Sequence, residues 1–280
     1  MNAPFRATGG APEPDAARVQ ALLDGWEQVE PATFAETEIK ALIETFDRVL
    51  AETRTGDLTE AAALLAHIRS AVSGLEPQAL EPRGLFDSRG RRLKAFRAEF
   101  LSAARATAEA VGDLGERSGG VQRRDERLDA LWAELRERIT AIDVCRAAGS
   151  ERCPPPPEPG EDSASDGGEP LRGRLTLAHH VRDSAIKALP CIRAAQNGDV
   201  QALARLKALP ETAEAWRSDW TDALGLAGRK PKKVRPDAQR LNRTRDALLQ
   251  ALGAADSAIA AAKARRSDVE GRLETLRRGL

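Results

Sequence analysis

Three histidines, three cysteines and one dense run of cations are the side chains of this 280-residue sequence best equipped for chemistry. His179 and His180 are adjacent, so on a helix they point about 100° apart and cannot grip one ion, and His67 stands alone. Without a Cys-x-x-Cys or His-x-x-x-His pair, the spacing predicts no metal site. Thiolates could ligate or reduce soft ions, but only with a depressed pKa and access. Cys145 and Cys191 sit beside apolar residues on helical stretches, and Cys153 follows Arg152 in a proline-rich segment. All three are expected to be buried or incidental thiols. Gly112-Asp-Leu-Gly115 and Ser118-Gly-Gly follow no strand, and neither a nucleophile elbow nor a phosphate-cradling loop is present. Asp219 and Asp222 fall at helical spacing and read as solvated carboxylates. The expectation is therefore a non-enzymatic chain with no catalytic residue, no cofactor, no metal and no small-molecule substrate.

The cations are more distinctive. Arg229, Lys230, Lys232, Lys233 and Arg235 place five charges in seven residues, punctuated by Pro231 and followed by Pro236. Such a cluster attracts phosphate-bearing partners. It has no aromatic neighbours for base stacking and no evident recognition helix, which disfavours nucleic acid against an anionic membrane surface. A solvated loop between helices is the bland alternative.

The elements that must carry these residues are helical. Ile39, Leu42, Ile43, Phe46, Val49 and Leu50 form an apolar stripe behind a predicted capping box of Thr33 and Glu36. Leu58, Leu64, Leu65, Ile68 and Val72 continue the helical period. Two further helices are predicted, one from Leu93 to Leu114 and one from Val121 to Ile142, with a kink or turn at Gly119-Gly120. Pro190 is expected to kink the next helix, Asn197-Gly198 to stop it, Asp199 to cap a short successor, and Pro210 to open another bearing Trp216 and Trp220. No alternating strand is convincing, so the fold class is all-α: an elongated helical bundle or coiled-coil hairpins with a long C-terminal heptad helix.

That last helix is predicted over 236–280, roughly 67 Å at about 1.5 Å per residue. Leu241, Leu248, Ala255, Ala262, Val269 and Leu276 recur every seven residues, interleaved with Arg245, Leu252, Ile259, Arg266, Leu273 and Leu280. An apolar stripe of this kind must face another helix, within the chain or in a second copy. Arg245 and Arg266 are costly there unless they meet acidic groups. Charge is divided: residues 1–148 hold 20 basic and 25 acidic groups, and 171–280 hold 22 and 12, although the whole chain is neutral. The composition predicts a disordered lead-in at 1–12, a helical domain at 13–148, a disordered acidic linker at 149–170 and a second helical domain at 171–280. No apolar run approaches the roughly 20 residues of a membrane span, and no signal-peptide core is evident. The expected compartment is the cytoplasm, with contact at the inner membrane as an adjunct.

One resemblance runs through this order of segments. Ile39–Leu50, Gly56-Asp57-Leu58 with Leu64-Leu65, and Leu75-Glu76-Pro77 are followed by Arg91, Arg92 and Lys94 leading into Phe96–Phe100. Arg124-Asp125 with Leu128, Ala147-Ala148-Gly149, Pro190-Cys-Ile-Arg193, Gln196-Asn197 and Trp216-Arg217 complete it. In these stretches the chain resembles the bacterial toxic-anion-resistance family, the TelA-type tellurite-resistance proteins. The resemblance implies a soluble helical protein linked to tolerance of tellurite or related oxyanions, and brings no catalytic residues. The expected function is contact with a protein partner or self-association in a stress response. The alternative is an adaptor that meets an anionic surface through Arg229–Arg235.

Overall fold

The computed structural model describes residues 14–54, 56–81, 89–153 and 168–280. The predicted lead-in at 1–12 lies outside them, as do residues 154–167 of the predicted linker. Six α-helices carry the described chain: α1 (Ala16–Asp24), α2 (Glu36–Glu52), α3 (Gly56–Ser73), α4 (Arg89–Arg152), α5 (Glu169–Ala223) and α6 (Ala238–Arg278). Short 3-10 helices occupy Trp26–Gln28 and Pro77–Leu80. No strand occurs among the described residues, and the fold is all-α.

Helix boundaries depart from expectation in several places. α4 runs unbroken through Gly119-Gly120, and α5 runs unbroken through Pro190, Asn197-Gly198 and Pro210. These residues are poor helix formers, but Leu189, Ile192, Ala195, Leu203, Leu206 and Leu209 are all buried around them. Burial of a Leu or Ile is worth about 1.5–3 kcal/mol, against about 1 for a helical glycine and about 3 for a helical proline, so the several buried side chains together outweigh the breakers. The same two helices also intrude on the predicted linker, claiming Gly149–Arg152 and Glu169–Pro170. Nor does Thr33 cap α2. The N-cap is Ala35, in the left-handed region at φ 57° and with no side-chain cap bond. Phe34 and Ala35 are drawn into the core instead: the Phe34 ring lies 5.2 Å from Trp26, and Arg174 Nε donates to its carbonyl at 2.9 Å.

The chain divides into two compact units, each taking segments from both sides of residues 149–170. The first comprises Met1–Arg54, Arg124–Asn197 and Arg266–Leu280. Its core joins Ile39, Leu42, Phe46 and Val49 of α2 to Leu128, Leu135, Ile139 and Ile142 of α4, to Val181, Leu189 and Ile192 of α5, and to Val269 and Leu273 of α6. The second comprises Thr55–Arg123 and Gly198–Arg265. There Leu58, Leu65, Ile68 and Val72 meet Leu241, Leu248, Leu252, Ala255, Ile259 and Ala262, with Phe96, Phe100, Trp216 and Trp220 as the aromatic centre. Of the seam residues Arg245 and Leu280 are half-buried rather than buried, and so is Leu276. Its neighbours on α5 and α6 leave a groove beside it.

Arginines close the helix ends. The final carbonyls of a helix lack intrahelical donors and carry partial negative charge, and a guanidinium offers five N–H donors. In the first unit Arg266 Nη1 donates to both Glu52 O and Arg54 O at 3.1 Å, and Arg124 Nη1 donates to Arg54 O at 2.8 Å. In the second, Arg245 Nη1 reaches Leu75 O at 2.9 Å just beyond α3, and Arg92 takes Ala79 O and Glu81 O beyond the 3-10 turn. The seam arginines thus meet carbonyls, and Arg245 also pairs with its neighbour Asp246.

Glycines test the packing. A Cβ on Gly149 would stand 2.7 Å from Leu175 Cδ2 and 2.8 Å from Phe34 Cε1. Gly149→Ala should therefore destabilise by about 1–3 kcal/mol through overpacking, despite its helix-propensity gain. Nothing lies within 4 Å at Gly112 or Gly115, where alanine should stabilise by about 0.5–1 kcal/mol each. Urea melts of the three variants check both signs.

Candidate functional site

The five-cation loop sits on a closely specified foot in the second unit. α5 ends in a Schellman motif: Leu226 N–H donates to Thr221 O at 2.8 Å and Gly225 N–H to Asp222 O at 2.9 Å. Gly225 adopts φ 65°, which favours glycine. It also admits no side chain, since a Cβ would lie 2.8 Å from Val234 Cγ1 and 3.1 Å from Lys232 O. Lys232 N–H then returns to Gly225 O at 2.9 Å, closing the loop. Arg97 of α4 staples the closure, donating from Nε to Leu224 O at 2.8 Å and from Nη2 to Lys232 O at 2.6 Å.

The far side is held by α6. Asp237 caps it, accepting from Gln239 N–H at 2.8 Å. Arg240 bridges Asp219 and Asp222, and these two carboxylates, Asp219 first, raise its pKa further above the ordinary arginine value. Thr244 Oγ1 donates to Asp219 as well. On this foot Arg229, Lys230, Lys232, Lys233 and Arg235 are all exposed, and no described residue forms an ion pair with any of them. Rigid anchoring with unspent charge is what a preformed contact surface requires. Sequence reasoning found the five cations but missed Gly225 and Arg97. A glycine directly after the Trp216/Trp220 stripe was the available signal for the first; none marked the second.

In the first unit several charges are paired internally. Arg193 of α5 pairs with Asp129 of α4 and donates to Gln196 Oε1 at 2.7 Å, and Gln196 donates to Asp125 O at 3.0 Å. The Trp132 ring lies between two guanidinium groups, with Arg193 at 4.0 Å and Arg136 at 4.7 Å from its centroid. Two of the stretches that carry the family resemblance, Arg124-Asp125 and Arg193 with Gln196, are thereby brought together. Asp143 is held in the same unit by Arg182 and Arg146.

Cys145 and Cys191 are buried, and Cys153 is half-buried. Burial pushes the Cys145 thiol up to about 12, with Glu38 adding to the shift, and burial also raises Cys191. Cys191 lies on a groove of about 810 Å³ with Pro190, Asp268, Arg272, Thr275 and Leu276. His67, His179 and His180 are exposed, and no cluster of three metal-ligating side chains occurs among the described residues. Cys145 predicts a pH dependence. Between its ordinary value of 9.0 and about 12 the unfolded chain loses a proton that the folded chain keeps. Stability should fall as pH rises through that window, and urea melts near pH 8 and pH 10.5 should show less of that fall in Cys145→Ala.

No helix of the described residues is long and apolar enough to cross a membrane. No family model, no curated protein and no solved structure matches the chain.

Proposed function

We propose that this protein is a non-enzymatic helical adaptor that works by contact with other macromolecules, meeting an anionic surface through Arg229–Arg235. One observation carries the reading: these five cations are exposed and unpaired on a loop fixed at both feet, whereas other cations, such as Arg266 and Arg193, are spent on carbonyls or carboxylates. A neutral chain has no net reason to adhere to an anion, so attraction must be local. On a phosphocellulose column at neutral pH the full chain should be retained until salt is raised. A variant with all five residues replaced by serine should pass through, and equal retention of both would remove the loop from its role.

The resemblance of stretches of this chain to toxic-anion-resistance proteins is the ground for assigning this contact role, within the same proposal, to tolerance of tellurite or related oxyanions, together with a protein partner or a second copy. Neither a thiol reductant nor a bound oxyanion is needed for it. Host growth on tellurite, restored by the full chain but not by the five-serine variant, is the expected outcome. Full rescue by that variant would separate tolerance from the loop.

A further inference from the structure

The loop is not the whole cationic face. Arg97 reaches from α4 to both strands of the loop closure, at Leu224 O and Lys232 O, and so fixes α4 against it. Residues three apart on a helix are neighbours on one face. At about 100° per residue, Lys94 lies about 60° and Arg91 about 120° round α4 from Arg97, both exposed and with no ion pair to a described residue. The acids flanking the loop are already engaged: Asp219 and Asp222 hold Arg240, and Asp237 caps α6. Arg97 thus joins two basic runs more than 130 positions apart in the sequence, which together hold seven exposed cations with no ion pair to a described residue.

Resting on the adaptor reading, we propose that this composite face, Arg91 and Lys94 of α4 with Arg229–Arg235, docks on the anionic headgroups of a lipid bilayer and lies there without inserting. The chemistry of the face selects this partner. Clusters of four to eight Lys and Arg side chains bind anionic lipid through charge alone. Single-stranded nucleic acid would want aromatic platforms between the cations, and residues 225–237 contain none. Insertion would want an exposed large apolar side chain, and the two in the loop are turned away from this task. Val234 packs beside Gly225, and Leu226 is half-buried and belongs to the helix cap.

Flotation of the full chain with vesicles tests it. Binding is expected to mixed phosphatidylcholine–phosphatidylglycerol vesicles and not to phosphatidylcholine alone. It should be lost when salt rises from about 0.1 to about 1 M, which shortens the screening length from about 10 to about 3 Å. Each cation near such a surface contributes about fivefold in partition, so Arg91→Ser with Lys94→Ser should weaken binding by at least tenfold while helicity and melting are unchanged. Partition equal to that of the parent chain would overturn the composite face. No flotation, with retention on phosphocellulose intact, would overturn the lipid assignment and leave the adaptor reading standing. Tighter binding to a short DNA duplex than to the vesicles at equal salt would overturn it in favour of nucleic acid. Loss of phosphocellulose retention itself would instead strike the reading on which the proposal rests.

Discussion

Replacing Trp220 by alanine should cost about 3–5 kcal/mol of stability and loosen the basic loop along with it. The indole is fully buried, with ring centroids 5.8 Å from Phe96, 5.5 Å from Phe100 and 5.6 Å from Trp216. Its Nε1 donates to Leu241 O and to Thr244 Oγ1, both at 3.1 Å. Thr244 in turn holds Asp219, which holds Arg240. One side chain therefore ties α4, α5 and α6 together beneath the cations. A paired control separates packing from the hydrogen bonds. Trp216 is equally buried, but its Nε1 has no hydrogen-bond partner. Trp220→Phe should thus be the more damaging of the two phenylalanine variants, by about 1 kcal/mol for the lost bonds. Equal urea midpoints would show that the Trp220 N–H contributes nothing to the foot of the loop.

Patterns that report burial were legible from residues alone, and local stop signals were not. The heptad from Leu241 to Leu273 could be read because a repeated apolar stripe has one physical use, and those residues are buried. Asn197-Gly198 and Pro210 misled as boundaries because a breaker acts on one hydrogen bond or one rotamer, whereas burial acts along the whole helix. Gly198 is not a stop at all: α5 continues through it, and a Cβ there would make only an ordinary contact, 3.5 Å from the Ala262 backbone. Thr33 misled for a related reason. A capping box offers about 1 kcal/mol, which the burial of Phe34 outweighs. Of the candidate site, the five cations could be read from composition. Their rigidity could not, because Arg97 stands 135 positions from Lys232 and no periodicity links them.

The same logic makes Arg266 the second residue on which stability should turn. It is 1 % exposed, a seam position where a leucine would be the ordinary choice. Its Nη1 serves Glu52 O and Arg54 O at the end of α2, while the Glu52 carboxylate engages Arg127 at 2.9 Å and Arg124 at 3.8 Å. Removing the guanidinium leaves Glu52 O without this donor, whereas Arg54 O keeps Arg124. Arg266→Met retains most of the volume and fills the seam, so its cost isolates the polar loss, about 1–3 kcal/mol for a buried acceptor deprived of a charged donor. Arg266→Ala adds a cavity and should cost about 2–5 kcal/mol. Hydrogen exchange gives a sharper readout than melting, because the loss falls first on the last turn of α2. Amides of residues 49–53 should lose protection in Arg266→Met ahead of those in the middle of α6. If instead the methionine variant were more stable than the parent, the buried arginine would be a device of helix register rather than of strength, as replaced buried ion pairs in other proteins have shown.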